Sequence, residues 1–290
     1  MKTHRGLTLV ELLVVIGIIV ILAGLTFAFA SRAKAATKST ECLANLHQLG
    51  LAMSVYQIDA DDQKPGPATY PLGAKSFEVG IGWAGKVYPY AKSTNVFGCA
   101  EDDSVAIPTY VHANSSKISF AINDNLTARH GATPPESART VLLFEVSRSF
   151  AYVKSVDEGM TPRPGGYQKM SAAGNGIKGD LLESYIPWAR SDDDVSIQYV
   201  TGRLSNSDND VLADDFAPEG RHRAGANYLL ADGHAAFAAP GAVSAGSNAP
   251  NPGGAQTALG CFIPPATSGT GMPCAEGTAA TGHKLTFSGN

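Results

Sequence analysis

The sequence predicts an α+β protein in which a long N-terminal transmembrane helix extends into a globular head built on an antiparallel β-sheet. Three observations carry this. Residues 7–30 form an unbroken apolar run, residues 31–60 continue without proline, and residues 63–240 break into short apolar stretches separated by turn residues. A shift in composition near residue 240 completes the division: a leader at 1–6, a long helix at 7–62 whose first part (7–30) is transmembrane, a head at 63–240, and a Gly/Ala/Pro-rich C-terminal extension at 241–290. For a chain of 290 residues this leaves one conventional core-forming domain with appendages.

In the run LTLVELLVVIGIIVILAGLTFAFA, Glu11 is the only charge in 24 positions. As a helix rising about 1.5 Å per residue it reaches roughly 36 Å, enough to cross a hydrocarbon core of about 30 Å. Membrane lipid is therefore its first expected partner. The competing reading is a secretory signal peptide, with Lys2 and Arg5 as its cationic start and Ala28-Phe29-Ala30 as its cleavage site. Against that reading, the run exceeds the roughly 7–15 apolar residues of such peptides and carries a carboxylate near its start. A lone carboxylate costs about 2.5–3.5 kcal/mol at the centre of a membrane helix and is normally partnered, so Glu11 asks for a cation.

Past residue 30, Ala36, Leu43, Leu46, Leu49, Met53 and Tyr56 recur at helical spacing and predict a face packed against the head. Asp59, Asp61 and Asp62, followed by Pro65-Gly66-Pro67, predict the helix end. In the head, residues 105–110, 117–122, 140–146, 198–200 and 226–231 read as strands. The clearest unit spans Gly225 to Phe237, where Asp232-Gly233 separates two strand-like runs and predicts a two-residue type I′ hairpin turn.

The residues Gly6-Leu7-Thr8-Leu9-Val10-Glu11-Leu12-Leu13 closely resemble the processing signature of type IV prepilins and type II secretion pseudopilins. The resemblance implies that a prepilin peptidase cuts after Gly6 and that Leu7, where the family usually has phenylalanine, becomes the methylated terminus. It also implies that Glu11 pairs with the terminal amine of a neighbouring subunit, supplying the cation the isolated helix lacks. Burial among helices strengthens such a pair because the effective dielectric falls. The partners implied are other copies or related pilin subunits in a filament, the peptidase and an inner-membrane assembly platform. Arg32, Lys34 and Lys38 beyond the run oppose a simple positive-inside count. The orientation, a single pass of the bacterial inner membrane with the head exported to a cell-surface or periplasmic filament, is thus implied by the resemblance alone. His222, nine intervening residues and Asp232-Gly233 are similar to the C-terminal signature of a pilin-like subfamily described as prepilin-processing associated. Segments at 42–53, 88–99 and 135–145 resemble its blocks, with Ala100 standing where that subfamily has proline.

The extension holds 10 glycines and 9 alanines among 50 residues, with Glu276 and Lys284 as its only charges, a composition expected to add little core. The four cysteines, Cys42, Cys99, Cys261 and Cys274, fit no zinc-finger spacing. In an exported head they predict one or two disulfides: Cys261 with Cys274, closing a loop that steadies the extension, and Cys42 with Cys99 as its companion. Buried free thiols are the alternative.

Glu145, His222, Asp232 and His234 are metal-binding residue types. The competing reading gives Asp232-Gly233 to the turn and has Arg221 and His222 hydrogen-bond a strand end or pair with Glu145. The acidic clusters Asp192-Asp193-Asp194, Asp208-Asn209-Asp210 and Asp214-Asp215 make calcium the one cofactor candidate, although none forms a full EF-hand loop. Otherwise no cofactor is expected. The formal charge of -4, with no basic stripe, argues against nucleic acid as a partner. No G-x-S-x-G, H-E-x-x-H or phosphate-cradling glycine loop is present, so no enzymatic activity is expected. The expected function is a structural filament subunit, pilin or pseudopilin. Its rival is a membrane-tethered exported binding module that does not polymerise.

Overall fold

A single helix, α1 (Leu9–Asp59), runs for 51 residues, about 77 Å at 1.5 Å per residue. The computed structural model describes residues 8–66, 82–105, 114–127, 134–154, 158, 171–176, 197–204, 219–222, 224–261 and 272–290, the side chains at 28, 31, 32 and 258–261 excepted. Thr8 caps the start of α1: its hydroxyl accepts from the Glu11 N–H while the Glu11 side chain accepts from the Thr8 N–H, a reciprocal capping box. The helix stops three residues before the expected boundary because Asp61 and Asp62 turn left-handed (φ 51° and 61°), a conformation aspartate tolerates better than most side chains.

After α1 come α2 (Trp83–Ala91), a single 3₁₀ turn (Asn95–Phe97), β1 (Ser116–Lys117), β2 (Phe120–Asn123) and α3 (Asp124–Thr127). Then follow β3 (Val141–Ser147), β4 (Phe150–Ala151), β5 (Ala173–Gly174), β6 (Gln198–Tyr199), β7 (Ala226–Leu230) and β8 (Ala235–Ala238). The C-terminal part adds β9 (Val243–Ser244), β10 (Thr257–Cys261), β11 (Met272–Cys274) and β12 (Leu285–Thr286). The central sheet runs β5-β2-β3-β7-β8, antiparallel except for the β5–β2 pair, and β6 pairs with the end of β3.

Four expected strands coincide with this sheet or its margin, and 106–110 lie outside the described residues. The run 117–122 is split: Ser116 and Lys117 pair with β4, whereas Phe120 to Ile122 pair with β3. The hairpin also differs from expectation. Leu230 donates to the His234 carbonyl at 2.9 Å and Gly233 donates to Leu230 at 2.9 Å, which leaves a three-residue loop, 231–233. Positive φ occurs at Gly233 (91°) and not at Asp232, so this is a type I turn closed by a glycine bulge, not type I′.

The sheet is covered on both faces. On one, Cys42, Leu46, Leu49 and Met53 of α1 pack with Trp83 and Val87 of α2 against Ile122, Leu143 and Leu229. Of the expected helix face, Ala36 is exposed and Leu43 and Tyr56 are half-buried, because α1 enters the head only at Cys42. At Gly50 a Cβ would sit 2.8 Å from the Gly233 carbonyl, so glycine lets the helix touch the hairpin turn.

On the other face, Phe144, Val146, Tyr199, Tyr228 and Leu230 pack against Val243, Ala245, Ala275, Leu285 and Phe287. This corrects the expectation that 241–290 adds little core. Averaged composition hides three large residues, Val243, Leu285 and Phe287, each fully or nearly fully buried, with alanines filling the gaps between them. Parallel pairing of β9 with β12 holds them in place. Arg139 clamps the same segment, donating to the carbonyls of Thr278 (2.6 Å), Ala280 and His283 and standing 3.6 Å from the Glu276 carboxylate.

Candidate functional site

Two regions carry candidate residues: the exposed N-terminal half of α1 and the point where α1 joins the head. Within the first, Leu9–Phe27 is long and apolar enough to cross a membrane, and none of the described residues covers it. Its Leu, Ile and Val side chains all stand at least half exposed. Gly6 and Leu7 lie outside the described residues. Glu11 has a local role besides any intersubunit one. Its Oε2 accepts from both the backbone N–H and the hydroxyl of Thr8, each at 2.8 Å, in a first helical turn where the backbone dipole favours a carboxylate.

The second region begins at Cys42, where the helix becomes buried. A disulfide joins Cys42 to Cys99, which follows the 3₁₀ turn, with Cα atoms 4.8 Å apart. Around it, Asn45 donates to the Gly98 carbonyl at 3.0 Å and Asn227 to the Ser39 carbonyl at 3.4 Å. Behind the sulfurs stands His222. Its Nε2 is 2.8 Å from Glu145 Oε1 and 3.7 Å from Cys99 Sγ; its Nδ1 is 2.5 Å from Glu101 Oε2, close but without hydrogen-bond alignment. Glu145, on β3 and fully buried, also accepts from the Asn227 N–H at 3.1 Å. Burial alone works against the imidazolium. The hydrogen bond and charge of Glu145, with the charge of Glu101, outweigh it and hold His222 above the ordinary histidine range.

Next to this pair, Arg221 donates to the Val146 carbonyl at 2.7 Å and lies 3.3 Å from Asp102, whose carboxylate also accepts from the hydroxyls of Ser119 (2.6 Å) and Ser104 (2.5 Å). Ser119 Oγ in turn accepts from the Cys99 N–H at 2.9 Å. The disulfide, two cations and three carboxylates thus form one buried polar cluster between α1 and the sheet.

Of the metal-binding types, His222 and Glu145 are brought together with the cysteine pair, matching the reading in which Arg221 bonds a strand end and His222 pairs with Glu145. Asp232 and His234 sit at the other end of β7 and pair with each other at 2.7 Å on the exposed turn. Gly233 shapes that turn. Cys274 is disulfide-bonded and lies on the strand paired with the one ending at Cys261, whose side chain is outside the described residues. The acidic clusters at 192–194, 208–210 and 214–215 are outside them as well. Sequence reasoning missed Glu101, Asp102, Ser119 and Asn227. The one local signal was the acidic pair two residues beyond Cys99.

A family model described as the prokaryotic N-terminal methylation motif matches residues 1–27. The chain therefore carries a type IV pilin-like N-terminal signature, followed by an α+β head with an antiparallel sheet. No curated protein and no solved structure matches the chain.

Proposed function

We propose that this chain is a structural subunit of a type IV pilus-like or type II secretion filament, made as a precursor, cut after Gly6 and assembled through α1. The observation that carries this reading is the coincidence of the methylation motif at 1–27 with the uncovered apolar stretch Leu9–Phe27 at the start of a helix whose far half is built into the head. An uncovered apolar helix must lie in lipid or among its own kind. Within a filament core those helices cover one another, and Glu11 meets the new terminal amine of an adjoining copy. Before assembly the chain is anchored by a single pass in the inner membrane with its head exported.

Co-expression with a prepilin peptidase, followed by mass spectrometry of the mature protein, tests the processing step. The expected terminus is Leu7 carrying one methyl group; a terminus at Ser31 identifies a cleaved signal peptide instead. Electron microscopy of sheared surface material tests assembly, since a tethered head that does not polymerise yields no filaments. Glu11→Ala is expected to leave cleavage intact and to impair assembly, and normal filaments from that variant refute the pairing role.

A further inference from the structure

We propose that the dithiol form of this chain binds one zinc ion between Cys42 Sγ, Cys99 Sγ, His222 Nε2 and Glu145 Oε1, and that disulfide formation excludes the metal. Four side chains of zinc-ligating type converge there from α1, the segment after the 3₁₀ turn, β3 and the approach to β7. All four are buried, and their donor atoms lie within 4.8 Å of one another. Tetrahedral ligands at zinc distances of about 2.0–2.3 Å stand roughly 3.3–3.8 Å apart, so side-chain torsions at the reduced cysteines suffice to close the set.

The surroundings place a carboxylate where a metal site uses one, although it is not aligned for a hydrogen bond while the disulfide is closed. A zinc-bound histidine usually has its other nitrogen held by a carboxylate or carbonyl, which fixes the ring and its tautomer. His222 has Nδ1 beside Glu101 and Nε2 turned toward Cys99 Sγ. Glu145 is oriented likewise: Asn227 N–H occupies Oε2, leaving Oε1 toward His222 Nε2.

Charge selects between the two states. With the disulfide closed, Glu145 supplies the one negative charge among the four ligand side chains. In the metal-bound state both thiols have released their protons, and the two thiolates, a neutral imidazole and the carboxylate carry three negative charges. Buried without a cation such a set is prohibitive, whereas Zn²⁺ reduces it to one. Closing the disulfide transfers two electrons from the thiolates to an incoming disulfide oxidant, which takes up two protons and leaves as its dithiol while Zn²⁺ departs. Either way α1 is held to the sheet, by metal before oxidation and by the S–S bond after it.

The test uses the full mature chain in detergent, reduced by a phosphine and titrated with Co²⁺ as a spectroscopic probe, then with Zn²⁺ in competition. The expected result is one equivalent bound, with tetrahedral d–d absorption and a sulfur-to-cobalt charge-transfer band that vanish on reoxidation. The bands persist in Cys261→Ser and are lost in Cys42→Ser/Cys99→Ser, which separates this site from the other cysteine pair. Glu101→Gln is expected to weaken binding about 10–100-fold with near-UV and far-UV circular dichroism unchanged. Bands that survive in the Cys42→Ser/Cys99→Ser variant, the absence of a charge-transfer band in the reduced wild type, or binding equally strong in the oxidised chain each overturn the proposal. So does loss of head structure on reduction in the presence of equimolar Zn²⁺.

Discussion

Replacing His222 by leucine tests whether the buried pair at the helix–head junction holds the head together. Glu145 is fully buried, and His222 is 4% exposed, so little solvent is available to rehydrate a carboxylate left behind. With the imidazole gone, Glu145 retains the Asn227 N–H at 3.1 Å and loses the 2.8 Å partner and its charge. Breaking a buried ion pair from one side costs about 3–5 kcal/mol, a large part of the roughly 5–15 kcal/mol that stabilises an ordinary domain. Replacing both partners leaves no stranded charge, so Glu145→Leu/His222→Leu is expected to cost less than the sum of the single changes by about 2 kcal/mol or more. The assay is urea unfolding of the full, disulfide-intact chain in detergent with a chelator present, followed by near-UV circular dichroism. The pH dependence has a definite sign. Because His222 titrates above the ordinary histidine value of about 6.5 in the fold, its contribution is complete below that pH and is lost as pH rises through the folded value. The wild type should therefore lose this stability toward alkaline pH, and His222→Leu should lack that component. A His222→Leu variant within about 1 kcal/mol of wild type at pH 6, or one with unchanged pH dependence, refutes the reasoning.

The remaining expectations rest on other parts of the fold. Cys42 and Cys99 are 57 residues apart, so opening their disulfide without metal should cost about 4 kcal/mol by the loop-entropy relation, read as a lower urea midpoint in Cys42→Ser/Cys99→Ser. Burial pushes the Asp124 carboxyl up to about 6, so in the fold the protonated form is favoured, and that contribution is lost as pH rises through about 6. Asp124→Asn should therefore stabilise the head at pH 8 and have no such advantage at pH 4, checked by unfolding at both values. Arg139→Met removes the donor that gathers the carbonyls of residues 278–284, with charged hydrogen bonds worth about 1.5–3 kcal/mol, and limited proteolysis should cut that segment faster than in wild type.

The elements were legible where local chemistry decides them. The proline-free run gave α1 to within three residues of its C-terminal end, since apolar continuity and the terminal aspartates are local properties. The strands at 140–146 and 226–231 followed from short runs of β-formers between turn residues. What escaped depends on partners distant in the chain. Ala36 has the helical spacing of the packed face, but the head does not reach it. Ser116 and Lys117 pair with β4 rather than extending β2, which no feature of 117–122 encodes. The extension's core depends on Phe287 meeting Phe144, with ring centroids 5.1 Å apart across 143 residues of chain. At the junction, spacing offered His222 and Asp232 as one motif. The fold separates their roles, giving His222 to the disulfide cluster and Asp232 to a surface turn. Glu101 and Asp102 sat beside a noted cysteine, yet nothing in the sequence says that they face an arginine and a histidine more than 100 residues away.

The disulfide stands where a load on the exposed half of α1 would enter the head. Residues 9–38 of α1 lie outside it, and the face that packs on the head's core runs from Cys42 to Met53. A pull or sideways force on the membrane end would therefore meet its first covalent tie at Cys42. Noncovalent helix packing is weakest in peeling, where contacts are loaded and lost one turn at a time from the free end. A covalent bond at Met53 would leave Leu46 and Leu49 to be peeled before it bore any force. At Cys42, with Asn45 and Asn227 tied to backbone carbonyls on either side, no buried turn can be exposed from the membrane side until the cross-link itself fails. The buried charges then have a mechanical consequence as well as an energetic one. Arg221 and Asp102 bind the segment carrying Cys99 to the ends of β2 and β3, so force entering through sulfur passes into the central sheet rather than into a loop.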